Sequence, residues 1–151
     1  MVGIFPVNSL AGEIEDAQQK VGWLPNDPNA YFNLGVAYFK NSKFQEAITS
    51  YKKAIQLNLN DAGVFNNLGA AYIKLGNYKL AVTSLKGAIK INSGYTDAHQ
   101  NIAIAYAKLG LIDQAIASYK NVLKINSKDA TALFNLEKLE TKVAEQKKTI
   151  V

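Results

Sequence analysis

The sequence predicts an all-α solenoid of stacked antiparallel helix pairs: three full repeats flanked by capping helices. Three observations predict it. A hexapeptide returns at a fixed step: Asn33-Leu34-Gly35-Val36-Ala37-Tyr38, Asn67-Leu68-Gly69-Ala70-Ala71-Tyr72, Asn101-Ile102-Ala103-Ile104-Ala105-Tyr106. Asn33, Asn67, Asn101 and Asn135 each lie 34 residues apart. A second echo keeps the same step: Glu46-Ala47-Ile48, Leu80-Ala81-Val82, Gln114-Ala115-Ile116. Helix punctuation keeps it too, with Asp27, Asp61 and Asp129 at starts and Gly76 and Gly110 at ends. A fixed period of this length means supersecondary units that cannot bury their apolar faces alone and must stack.

The elements follow in order. Residues 1–27 form an N-terminal arm and a degenerate half-repeat. Met1 to Val7 are apolar and are expected to pack on the first helices; Ser9-Leu10-Ala11 has the small-x-small form of a cleavage site, so a trimmed signal remnant is the alternative. A helix over 9–22 is predicted by Ile14, Ala17 and Val21 on one face. Trp23 stands in the register of Leu57, Ile91 and Ile125, so this helix should cap the open side of the first repeat.

Repeat one covers 28–61, with helices over 28–40 and 44–58. Asp27 can accept from the first orphan N–H groups, and Pro28 suits the first helical position. Ser42 replaces the expected Gly, and with Gln45 it predicts a capping box on the second helix. Repeat two covers 62–95, with helices over 62–74 and 78–92; repeat three covers 96–129, with helices over 96–108 and 112–126. Gly76 and Gly110 supply a left-handed turn without a Cβ clash. A last helix over 130–147, within 130–151, carries Glu137, Lys138, Glu140 and Lys142 on what should be a solvating outer face.

Counted from Pro28, Ala62 and Thr96, the unit shows Leu34-Gly35, Leu68-Gly69 and Ile102-Ala103 at its seventh and eighth positions. Tyr38, Tyr72 and Tyr106 follow, then Ala47, Ala81 and Ala115, and later Ala54, Ala88 and Val122. On these residues the chain resembles the tetratricopeptide-repeat family. The fourth position carries Tyr31, Phe65 and His99 instead of Trp, and the inter-repeat proline is replaced by Leu59, Ser93 and Ser127. The resemblance implies a right-handed superhelix whose first helices line a concave groove. It implies a protein or peptide partner and no catalysis.

Steps of three, four and seven share one helix face. That stripe, which the resemblance places in the groove, holds Phe32, Asn33, Val36, Phe39 and Lys40 in the first unit. The second unit gives Asn66, Asn67, Ala70, Ile73 and Lys74; the third gives Gln100, Asn101, Ile104 and Lys108. Val36, Ala70 and Ile104 make an apolar column. Asn33, Asn67 and Asn101 make an amide column, able to donate to and accept from an extended peptide backbone. Lys40, Lys74 and Lys108 either meet carboxylates or complement the C-terminal end of each helix dipole. Some family members clamp the acidic C-termini of Hsp70 and Hsp90 with Lys at the fifth position and Asn at the ninth. Here those positions are Phe32 and Val36, so that clamp looks absent.

Composition narrows the classes further. The chain of 151 residues is 48% hydrophobic, enough for a continuous core. Its formal charge is +5, and all 17 basic residues are Lys. Base and phosphate readers rely on the Arg fork, so nucleic acid is not an expected partner and an RNA-binding repeat is the weaker reading. No apolar run approaches the roughly 18 residues of a spanning helix, so no membrane insertion is expected. There is no Cys, and the lone His99 sits at a packing position. No cofactor, metal or catalytic set is expected. The leading reading is a non-enzymatic interaction scaffold. The alternative is a self-assembling protein, a homo-oligomer whose arm Ile4-Phe5-Pro6-Val7 enters a neighbour's groove. The cytoplasm is the expected compartment, with export the alternative if residues 1–11 are a signal remnant. The sequence does not name the partner.

Overall fold

The computed structural model describes residues 10–149. The arm over 1–7 and the terminal Ile150-Val151 lie outside the described residues. The described chain is helical throughout: α1 (Leu10–Trp23), α2 (Pro28–Lys40), α3 (Phe44–Gln56), α4 (Ala62–Lys74), α5 (Tyr78–Ile91), α6 (Thr96–Lys108), α7 (Ile112–Ile125) and α8 (Ala130–Thr149). Each helix packs on the next. The first helices of the units, α2, α4 and α6, also touch one another, whereas α3, α5 and α7 pack on first helices. That asymmetry puts α2, α4 and α6 on the inside of the curve.

Local chemistry sets the helix ends. The Asp27 and Asp61 carboxylates accept from the N–H groups of Asn29 (2.9 Å) and Gly63 (2.7 Å). Asp129 accepts from Ala132 N–H at 2.8 Å, opening α8. Gly76 (φ 75°) and Gly110 (φ 77°) take the left-handed conformation after α4 and α6. Ser42 does the same after α2, at φ 59°. The expected capping box of Ser42 with Gln45 is therefore absent: the N-cap of α3 is Lys43, which makes no side-chain bond to the helix. Ser42 closes α2 instead of opening α3. Asn58, at φ 69°, likewise ends α3 at Gln56, short of the predicted 58.

The core runs between the paired helices. Second helices lay a bulky side chain over the small eighth residue of their partner. A Cβ on Gly35 would lie 2.5 Å from Tyr51 Cε1, and one on Gly69 would lie 2.5 Å from Leu85 Cγ. Only glycine allows that approach. Tyr51, Ile48, Leu85, Val64 and Val122 are the largest fully buried side chains. Burying a side chain such as Leu85 contributes roughly 1.5–3 kcal/mol. A separate small cluster of Ile14, Ala17, Leu34 and Ala37 seats α1 on α2 as the N-terminal cap. Gln18 donates to the Tyr38 hydroxyl at 2.9 Å across that joint.

Candidate functional site

The inner face of α2, α4 and α6 carries the predicted groove residues, and the structure sorts them into four groups. The apolar column is half-buried at Val36, Phe39, Ala70, Ile73 and Ile104; Phe39 also packs on Phe44, and Ile104 lines a cleft beside α8.

The fifth-position residues are engaged within the solenoid instead. Phe32 packs on the Tyr51 ring, with centroids 6.0 Å apart. Asn66 is buried, 6% exposed, and its Oδ1 accepts from Asn101 Nδ2 at 2.9 Å. Gln100 Nε2 donates to Asp129 Oδ2 at 2.9 Å, tying α6 to the start of α8. Phe32 packs within its own repeat, whereas Asn66 and Gln100 tie their helices to following elements. Their polar atoms are spent before a ligand arrives.

The amide column is uneven for the same reason. Asn33 is exposed and Asn67 and Asn101 are half-buried. Asn67 bonds the Tyr51 hydroxyl, while Asn101 bonds Asn66. Burial pushes the Tyr51 phenol well above its ordinary range, and the Asn67 bond pulls weakly the other way. Tyr95, beside the same joint, is raised by burial and then by the charges of Asp97 and Asp61.

The lysine column divides as well. Lys40 Nζ pairs with Glu13 Oε2 of α1 at 3.2 Å. Lys74 and Lys108 are exposed and carry no ion pair with a described residue. Among the described residues, then, Lys74 and Lys108 of this column meet no carboxylate, which favours an acidic partner over a basic one. His99 is buried, and its Nε2 bonds the Ser93 carbonyl at 2.9 Å. It joins the core at the second inter-repeat turn.

One region escaped sequence reasoning. A cleft of about 780 Å³ opens between α6, α7 and α8. Glu137, Lys138 and Lys142 line it, so part of the expected outer face of α8 turns toward the solenoid. Glu140 pairs with Lys120 of α7 at 3.2 Å. Phe134, at the register of Phe32, Asn66 and Gln100, stands 65% exposed at its edge. The signal that could have found it is the 34-residue register itself, continued through Asn135.

This geometry defines a class: a helical-repeat scaffold whose first helices form the inner face. The chain belongs to the tetratricopeptide-repeat family. The model of that repeat matches residues 28–61 and 96–129, and a related repeat model matches 71–110. No curated protein sequence matches the chain significantly. Solved structures do. The first repeat domain of Spaghetti (RPAP3), bound to HSP90 peptide SRMEEVD, is 25% identical with a TM-score of 0.76 over 78% of this chain and 94% of that one. The second repeat domain of human RPAP3, in complex with HSP70 peptide SGPTIEEVD, is 25% identical with a TM-score of 0.71 over 75% and 98%. A MamA crystal structure, 23% identical, shares the fold at a TM-score of 0.86 over 95% of this chain and 78% of that one.

Proposed function

We propose that the chain is a protein-interaction scaffold that holds a partner's peptide or helix along its concave face. The observation that carries this reading is the half-buried apolar column of Val36, Ala70 and Ile104, extended by Phe39 and Ile73 and edged by the unpaired Lys74 and Lys108. An apolar strip with a few placed polar groups is the pattern of a binding groove. The RPAP3 domains of the same fold hold peptides. With Phe32 and Val36 in the clamp positions, the proposed ligand is more apolar than those acidic tails. Proteins of this family generally bind rather than catalyse.

The test is a peptide-display selection on the full-length chain. The selected peptide is then titrated against variants at two salt concentrations. Asn33→Ala should cost roughly 0.5–1.5 kcal/mol of binding if its amide meets the peptide backbone. Lys74→Ala should slow association and flatten the salt dependence. Lys86→Ala, on the second-helix layer, should do neither. A peptide that loses affinity only with Lys86→Ala would move the site to the convex side.

A further inference from the structure

Tyr119 occupies on α7 the place of Tyr51 on α3. Tyr51 is sealed when Asn67 of the next unit bonds its hydroxyl. The matching amide for Tyr119 is Asn135, but Asn135 Nδ2 donates instead to the Thr131 carbonyl of its own helix at 2.9 Å. Tyr119 is only 3% exposed, and its hydroxyl bonds no described residue. No fully enclosed polar atom lacks a partner among the described residues, so this oxygen is open to the cleft it lines. A nearly buried donor facing an open cleft is a group waiting for an acceptor.

Leu139 stands in the register of Ala37, Ala71 and Ala105, all buried, Ala37 against Ile14 and Ala17 of the preceding helix. Its larger side chain packs against the cluster of Tyr119, Val122 and Ala132 beside the cleft. Glu137 stands in the register of Gly35 and Gly69, where a second helix would have to pack. Glu137 leaves no room for a second helix packed as closely as those on Gly35 and Gly69.

We infer that this cleft is an anchoring site for a partner segment in which a large apolar side chain is flanked by carboxylates. Its walls are Ile104, Ala107, Leu139 and the exposed ring of Phe134. Its volume of about 780 Å³ lies in the range of pockets that enclose a ligand. The Tyr119 hydroxyl supplies a donor at the floor. Lys108, Lys138 and Lys142 surround the rim, and none is ion-paired with a described residue. Glu137 and Glu145 share the α8 side of the rim. They repel a wholly acidic tail and so select a segment that mixes apolar and acidic residues. The inference rests on the reading of the chain as a peptide scaffold, but it places the anchor at α8 rather than at the amide column.

The experiment uses three fluorescent peptides blocked at both ends, titrated by polarisation against the full chain. The first carries Ser-Asp-Phe-Glu-Ser. The second replaces its Phe by Ala, and the third replaces its acids by the corresponding amides. The first should bind about tenfold or more tighter than either control, since each control removes one component of the site. Tyr119→Phe should weaken the first peptide by about 2–10-fold while leaving the circular dichroism unchanged, because only an unbonded hydroxyl is lost. Lys138→Glu with Lys142→Glu should weaken it by about tenfold or more at low salt and abolish its salt dependence. Equal binding by the first peptide and its Ala control would overturn the inference, as would wild-type affinity in both cleft variants. If Asn33→Ala and Lys74→Ala weaken the peptide while the cleft variants do not, the central groove stands and the cleft site falls. Concentration-dependent association of the protein, removed by the lysine pair, would assign the cleft to a second copy and also overturn it.

Discussion

Tyr51 and Tyr119 share a repeat position and differ in everything around them. Tyr51 is 1% exposed, pressed on Gly35 and hydrogen-bonded to Asn67 of the next first helix. Tyr119 clusters with Ala103 on one side and faces the α8 cleft on the other. The second helix is nearly the same in both places. What changes is the helix that follows. α4 presents Gly69, Ala70 and Ala71, whereas α8 presents Glu137, Lys138 and Leu139 at the same register. The small Gly69 admits Leu85 of the second helix that follows it, an approach that Glu137 at the same register does not allow. In a stacked array the interior positions are committed to neighbours, and polar and aromatic groups become available where the stacking ends.

Three measurements would break or sharpen this comparison. The largest effect is expected from Gly35→Leu. A Cβ there already falls 2.5 Å from the fully buried Tyr51 ring, so the variant should lose about 3 kcal/mol or more in denaturant titration. Glu137→Leu, the matching change on α8, should stay within about 0.5 kcal/mol because no helix packs over it. Similar losses at the two positions would mean that α8 is packed like an interior first helix.

Alkaline titration comes next. The Tyr51, Tyr95 and Tyr119 phenols are all raised from 10.0 in the folded chain, chiefly by burial. The folded state then holds protons that the unfolded state has released. Their contribution is complete below pH 10.0 and declines as pH rises toward the folded values. The slope for a deeply buried tyrosine reaches about 1.4 kcal/mol per pH unit. Tyr51→Phe should flatten this alkaline limb more than Tyr119→Phe does, since Tyr51 is the more strongly raised of the two. A limb flattened equally by both variants would contradict the difference in enclosure.

The smallest effect is the neutral-pH cost of each hydroxyl. Tyr51→Phe removes the bond to Asn67 and should lose roughly 0.5–1.5 kcal/mol. Tyr119→Phe removes a hydroxyl with no described partner and should leave the melting temperature within error. A clear loss at Tyr119 would show that its hydroxyl is paired in solution by the chain itself.

The fold was legible because its signals are local and repeated. Asp27-Pro28, Asp61, Gly76 and Gly110 mark helix ends through backbone chemistry that acts within a turn. The small residues at positions eight and twenty of the unit announce where helices must approach. The capping box at Ser42 was misread because a Ser can close one helix or open the next, and only its φ of 59° decides which. The groove was legible as a stripe but not as a site. Periodicity places Asn66, Gln100 and Asn101 on one face with Asn33, yet their hydrogen-bond partners belong to other helices.

The sequence by itself determined the helix order, the repeat register and the residues of the inner face. Those follow from backbone propensity, capping and a period that holds from Asn33 to Asn135. Tertiary structure decided which side chains are free. Asn101 is spent on Asn66, Gln100 on Asp129 and Lys40 on Glu13, whereas Lys74, Lys108 and the Tyr119 hydroxyl bond no described residue. The physical reason is that a hydrogen bond needs a partner within about 3 Å in the right direction. That distance depends on how closely successive helices approach, and at α8 a single enlarged position, Leu139, accompanies an open cleft in place of a closed joint.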